Sequence, residues 1–136
     1  MGKDNVSARC NTIEECYEFV LAYAGQGLSG KENNQSNSQV REFLNRAVEA
    51  LSDLPEAYDE AVRNEHLKPV DRYLAFLAVL EKDARDSLAT IQLVLAQPTI
   101  SSQLVDNLNA SIHLRALLTD LFLLGDSLRA RANASR

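Results

Sequence analysis

Two long segments with apolar stripes, residues 69–97 and 102–132, constrain the fold of this chain most strongly. In the first segment one apolar row recurs every seven residues, and a second row, interrupted by Glu81, runs beside it. This spacing is typical of α-helices that pack along a shared seam. The rows of the first segment are Val70, Leu77, Ala84 and Ile91, and Leu74, Leu88 and Leu95; the row of the second is Leu114, Leu117, Leu121, Leu124 and Leu128.

Only residues 98–101 separate the two segments. A connection this short joins antiparallel neighbours. We therefore predict an all-α fold, an up-down antiparallel bundle of four to five helices built on a long C-terminal helical hairpin.

Three shorter helices are predicted before the hairpin. Thr12 and Glu15 have the spacing of a capping box, so the first helix should run from about Ile13 to Ala24. Ser36 and Gln39 have the same spacing ahead of the second helix. Its apolar face is formed by Val40, Phe43, Leu44, Ala47, Val48 and Leu51.

The third helix is short and should begin between Asp53 and Glu56, with Pro55 in its first turn, and stop before Lys68. With these elements the chain divides into a flexible leader at residues 1–11, a single helical domain at residues 12–132 and a frayed tail at residues 133–136.

Charge and composition restrict the classes of partner. The chain has 14 basic and 19 acidic residues, a net charge of −5, which gives no general affinity for nucleic acid. It has neither a signal-peptide core nor an uninterrupted apolar run of about 18 residues, so we expect no membrane partner and a cytoplasmic location. Inward Glu-x-x-His pairs and haem-attachment cysteines are missing, so we expect no cofactor and no metal.

The middle of the hairpin carries more apolar side chains than two helices can cover. Five of them point away from the seam or widen it. Either the shorter helices or a second molecule must cover this surplus. The leading hypothesis is a non-enzymatic protein-interaction module, such as an adaptor, assembly chaperone or small regulator, with a protein partner or a homodimer. The interaction residues would be Phe76, Val79, Leu118, Phe122 and Leu123.

The loop GQGLSGKE at residues 25–32 matches G-x-G-x-x-G and nearly matches a phosphate-binding loop. Both motifs need a strand that leads into the loop, and no second strand is predicted. Glu32 also stands where a hydroxyl group should bind Mg²⁺. We interpret the segment as an interhelical loop.

Two carboxylate pairs, Glu15 with Glu18 and Glu56 with Asp59, are the first enzymatic alternative. Their spacing resembles the Glu-x-x-Glu and Glu-x-x-Asp signature of all-helical nucleotide pyrophosphatases of the MazG type. The resemblance covers these four residues and implies Mg²⁺-dependent hydrolysis of nucleotides. The competing interpretation is a solvated acidic helix face.

His113 is the second enzymatic candidate, because histidine phosphotransfer domains are helical bundles of about this size with an exposed histidine on a helix. Their histidine is followed by a Leu-Lys-Gly pattern, whereas Leu114 comes one position early here. Asp106 and Asp120 continue a seven-residue line with His113, which pairing across the hairpin also explains.

Overall fold

The computed structural model describes the backbone of residues 2–27 and 34–134 and the side chains of residues 6–27 and 37–127. Within these ranges the regular structure is helical throughout, which confirms the all-α prediction. The described part of the chain forms six helices rather than four or five: α1 (Gly2–Ala24), α2 (Asn34–Ser52), α3 (Leu54–Asn64), α4 (Val70–Leu95), α5 (Ser102–Ala110) and α6 (His113–Ala134).

Helix α1 begins at Gly2, so the predicted start at Ile13 is wrong, and the residues expected to form a leader belong to the helix from Gly2 onwards. Thr12 lies inside α1, where its hydroxyl group donates a hydrogen bond to the carbonyl oxygen of Ala8 at 3.1 Å. The expected capping box therefore does not form. Val6 and Cys10 lie seven and three residues before Ile13, so they extend its apolar face towards the N-terminus.

Helix α2 has the apolar face that its sequence predicts. Val40, Leu44, Ala47 and Leu51 are buried, and the Phe43 ring stacks on Phe19 of α1 with 4.2 Å between the ring centroids. The helix begins at Asn34, two residues before the predicted cap at Ser36, whose side chain lies outside the described residues.

Helix α3 starts as predicted, after Asp53 and with Pro55 in its first turn. The Asp53 carboxylate pairs with Arg9 of α1 instead of capping the helix. The helix ends in a Schellman motif, in which His66 takes a left-handed conformation (φ 52°) and the Leu67 amide donates to the Val62 carbonyl oxygen at 3.2 Å. This ending buries the Leu67 side chain beside α3.

Helix α4 is a single helix over nearly the whole predicted range, but its core face is rotated from the predicted one. Ala84 and Ile91 are buried as expected, whereas Val70 is 45% exposed. The second buried row is Leu80, Ser87 and Val94 rather than Leu74, Leu88 and Leu95, which are half-buried. A helix that is apolar on several sides does not reveal from its sequence which side faces the core.

The second half of the predicted hairpin is broken, so the prediction of one helix from Ser102 to about Ala132 is wrong. Helix α5 begins at Ser102, and the Ser101 side chain caps it by accepting a hydrogen bond from the Leu104 amide, but the helix ends at Ala110. Ile112 then adopts φ 62°, the conformation at a helix end that glycine or asparagine usually supplies. The up-down order of the whole bundle stays a prediction.

Polar side chains of α1 and α2 donate hydrogen bonds to the turn between α4 and α5. The Arg41 guanidinium of α2 donates to the carbonyl oxygens of Leu95, Gln97 and Pro98 at 2.9, 2.6 and 3.1 Å. The Tyr23 hydroxyl of α1 donates to the Ile100 carbonyl oxygen at 2.6 Å. The carbonyl groups at the C-terminal end of α4 thus receive a cation, which the helix dipole favours.

We expect Arg41→Ala to lower the free energy of unfolding by about 2 kcal/mol, because it leaves three carbonyl groups without their charged donor. Arg46→Ala is the matched control on the same helix. Arg46 forms an exposed pair with Glu42, so its loss should cost less than about 1 kcal/mol. Urea unfolding of both variants measures the difference, and equal losses would contradict the capping role of Arg41.

Ile112→Gly should raise the free energy of unfolding by about 1 kcal/mol, because a β-branched residue is strained at positive φ. Ile112 is 59% exposed, so little packing is lost. Ile112→Ala is the control, since alanine keeps most of the strain. If thermal unfolding gives both variants the same stability, Ile112 is not strained.

Candidate functional site

The five predicted interaction residues fall into three environments. Leu118 is buried, so the domain itself covers it, and Phe76 is half-buried. Val79, Phe122 and Leu123 are 45%, 51% and 56% exposed. The apolar surplus of the sequence is therefore partly absorbed by the core and partly left on the surface.

Phe122 lies at the edge of a cavity of about 300 Å³ between α1, α3 and α6, which we call the Phe122 groove. Most of the described side chains that line it are apolar. They include Val6 and Cys10 of α1, Ala61 of α3 and Leu121 of α6. The groove thus lies between α6 and the part of α1 that carries Val6 and Cys10.

Leu123 lies at a second cavity, of about 320 Å³, between α3, α4 and α6, which we call the Leu123 groove. Phe76 lines the same cavity, so the structure brings together two of the residues that the sequence singled out. Tyr58 and Leu124 line both grooves and separate them. Phe122 and Leu123 thus belong to one continuous apolar surface rather than to scattered positions.

Two local features of the chain shape the Phe122 groove. The Schellman motif at the end of α3 places Leu67 among the residues that line the groove. On the opposite side α6 presents Gly125, which has no side chain to occupy the space. A glycine inside a helix costs about 1 kcal/mol relative to alanine, so it weakens α6 where it keeps the groove open.

The charges at the Phe122 groove are acidic. Among its described lining residues Glu14 and Glu65 are the carboxylates, and no Lys or Arg is found with them. Burial, together with the nearby Glu14 carboxylate, raises the pKa of the Cys10 thiol to about 11, so this thiol is neutral at pH 7. The groove therefore combines an apolar lining with negative charge.

The four carboxylates of the pyrophosphatase alternative do not form a metal site within the described residues. Glu15, Glu18 and Glu56 are exposed, and Asp59 forms an ion pair with Arg63 at 3.0 Å. No group of three or more His, Cys, Asp or Glu side chains in the described ranges could hold a metal ion.

His113 is the first residue of α6, directly after the break at Ile112, and is not a mid-helix residue. Asp106 lies on α5, so the seven-residue line through His113 crosses two helices. The pKa of Asp86 is lowered chiefly by the hydrogen bond from Lys82, and His113 also contributes, which places His113 near Asp86 of α4.

The glycine loop follows a helix, because α1 continues to Ala24. The strand that a phosphate-binding loop requires is therefore not there. Gly27 has φ 68° at the end of α1, and residues 28–32 of the motif lie outside the described residues.

Asp83 of α4 and Asp120 of α6 form a pair of carboxyl groups that the sequence reasoning missed. Asp120 Oδ2 is buried, and no described group donates a hydrogen bond to it. Burial and the adjacent Asp83 carboxyl group raise the pKa of Asp120 to about 7. With this pKa, Asp120 can keep a proton at neutral pH and so avoid repulsion between two carboxylates. The two residues are 37 positions apart, so no local sequence pattern reveals their contact.

We expect this pair to make stability depend on pH. The folded-state pKa of Asp120 lies above its usual value near 4, so its stabilising contribution is complete below about pH 4 and is lost as the pH rises through about 7. Asp120→Asn removes the charge. At pH 8 the variant should be more stable than the wild type by about 1 kcal/mol. The difference is small because solvent partly screens the Asp120 charge.

Thermal unfolding between pH 4 and pH 8 measures this effect, with the exposed Asp106→Asn on α5 as the matched control. The difference between Asp120→Asn and the wild type should grow with pH, while Asp106→Asn follows the wild type. Parallel pH profiles for all three proteins would show that the pKa of Asp120 is not raised.

Comparison of the chain with protein-family models, with curated proteins and with solved structures gives no match. Among the described helices, none is both long enough and apolar enough to cross a membrane.

Proposed function

We propose that the protein is a non-enzymatic protein-interaction module, an adaptor, assembly chaperone or small regulator, that binds its partner through the apolar surface around Phe122 and Leu123. The observation that carries this proposal is their position. Two large apolar side chains, about half exposed, stand side by side at the two grooves. Burial of such side chains in a partner contributes about 1 kcal/mol or more each.

The enzymatic alternatives lack comparable support. The carboxylates at positions 15, 18, 56 and 59 are solvated or paired, and His113 stands at a helix start. Cys10 and Cys16 are free thiols, which suits the cytoplasm that we propose as the location.

Partner capture tests the proposal when the wild type is compared with variants of the apolar surface. Phe122→Ser combined with Leu123→Ser should reduce the recovered partner at least about tenfold, because the variant loses two central apolar anchors. Leu93→Ser is the matched control, since Leu93 of α4 is 66% exposed and does not line either groove. Quantitative mass spectrometry of the bound proteins compares the three baits.

Light scattering on the same proteins identifies self-association. A wild-type dimer that the double substitution converts to a monomer would assign the surface to a second copy. Equal recovery of every bound protein by the wild type and the double variant, with a monomeric wild type, would contradict the proposal.

A further inference from the structure

We infer that the Phe122 groove binds an amphipathic helix whose apolar stripe is flanked by lysine or arginine. This inference rests on the proposed function and names the class of partner for the same surface. It follows from the shape, size and charge of the groove.

The shape of the groove favours a helical ligand. Helices α1, α3 and α6 and the turn after α3 form its described walls, and these walls offer no sheet edge to which an extended peptide could add a strand. A helix laid across such a surface would place side chains at positions i, i+3, i+4 and i+7 towards it. The Leu123 groove shares Tyr58 and Leu124 with the Phe122 groove, but among the described residues Arg72 lines it and no carboxylate does, so we assign the basic ligand to the Phe122 groove alone.

The size of the groove argues for side chains as the occupant rather than a free small molecule. Its volume of about 300 Å³ is at the lower limit of ligand pockets, which span roughly 300 to 1,000 Å³. One or two bulky apolar side chains of a partner would fill it, with Phe122 packing against them from the edge.

The charge of the groove selects the flanking residues of the ligand. Glu14 comes from α1 and Glu65 from the end of α3, so the acidic side is built by two separate elements. Lysine or arginine beside the apolar stripe can pair with them, and the net charge of −5 attracts such a ligand at long range.

The same charges disfavour a second copy as the occupant. In a two-fold dimer the same patch serves both subunits. A dimer that set the Phe122 groove against its own copy would bring Glu14 and Glu65 close to the same carboxylates of the other subunit. Like charges at an interface oppose association.

A display library of helical peptides with randomised surface positions provides the test. The library is selected against the full-length protein and counter-selected against Phe122→Ser. We expect the enriched peptides to carry an apolar stripe and a net positive charge. Light scattering of the protein alone, at the same concentration, shows whether the groove is taken by a second copy.

Fluorescence anisotropy of one enriched peptide then tests the contacts. Gly125→Leu, which extends a side chain from α6 at the groove, and Phe122→Ser should each weaken binding about tenfold or more. Glu14→Gln with Glu65→Gln, which preserves the shape of the groove, should weaken it about three- to thirty-fold. Leu93→Ser should bind as the wild type does, and thermal unfolding verifies that each variant is folded.

Several results would overturn the inference: no enriched peptide, enriched peptides that are neutral or acidic, binding that the glutamine substitutions leave unchanged, or a wild-type dimer that depends on Phe122. A failure of the ligand class can be distinguished from a failure of the proposed function. If captured proteins still require Phe122 and Leu123 while no basic helix is selected, the interaction surface stands and the ligand class is wrong.

Discussion

Burial of one face of α1 is the constraint on which the rest of this structure depends. Ile13, Cys16, Val20 and Tyr23 are almost completely inaccessible, and α1 packs against α2, α3, α5 and α6. Because the same stripe continues backwards through Val6, the N-terminal half of the helix is held beside α3. That half forms one wall of the Phe122 groove, so the helix that organises the core also builds the surface to which we assign binding.

Periodicity allowed those parts of the fold to be predicted in which one helix face is clearly apolar. The predicted α2 face is buried at Val40, Leu44, Ala47 and Leu51 and half-buried at Phe43 and Val48. In α6 the predicted row is buried at Leu114, Leu117, Leu121 and Leu124, and the side chain of Leu128 lies outside the described residues. The start of α3 was also predicted correctly, with Pro55 in its first turn, whereas the capping box expected at Thr12 and Glu15 lies inside α1. Where several faces of a helix are apolar, the residue spacing does not show which face is buried. The second row of α4 was therefore assigned to the wrong side of the helix.

The remaining features were hidden for identifiable reasons. The polar residues around Val6 and Cys10 concealed the start of α1, and the break before α6 has Ile112 where a helix stop normally shows glycine or asparagine. Phe122 and Leu123 could be singled out from the sequence, but the grooves beside them could not. A groove is a gap between helices distant along the chain, as is the contact of Asp83 with Asp120, and no local pattern encodes either.

We assign partner binding, as a proposal, to an apolar surface that carries negative charge on two of its walls. Site-specific photocross-linking tests that claim most directly. Benzoyl-phenylalanine in place of Phe122 keeps an aromatic ring at the groove, and the same group in place of Leu93 reports on an unrelated exposed position. We expect a cross-linked partner from position 122 and none from position 93. Cross-linking from position 93 alone, or equally from both positions, would contradict it.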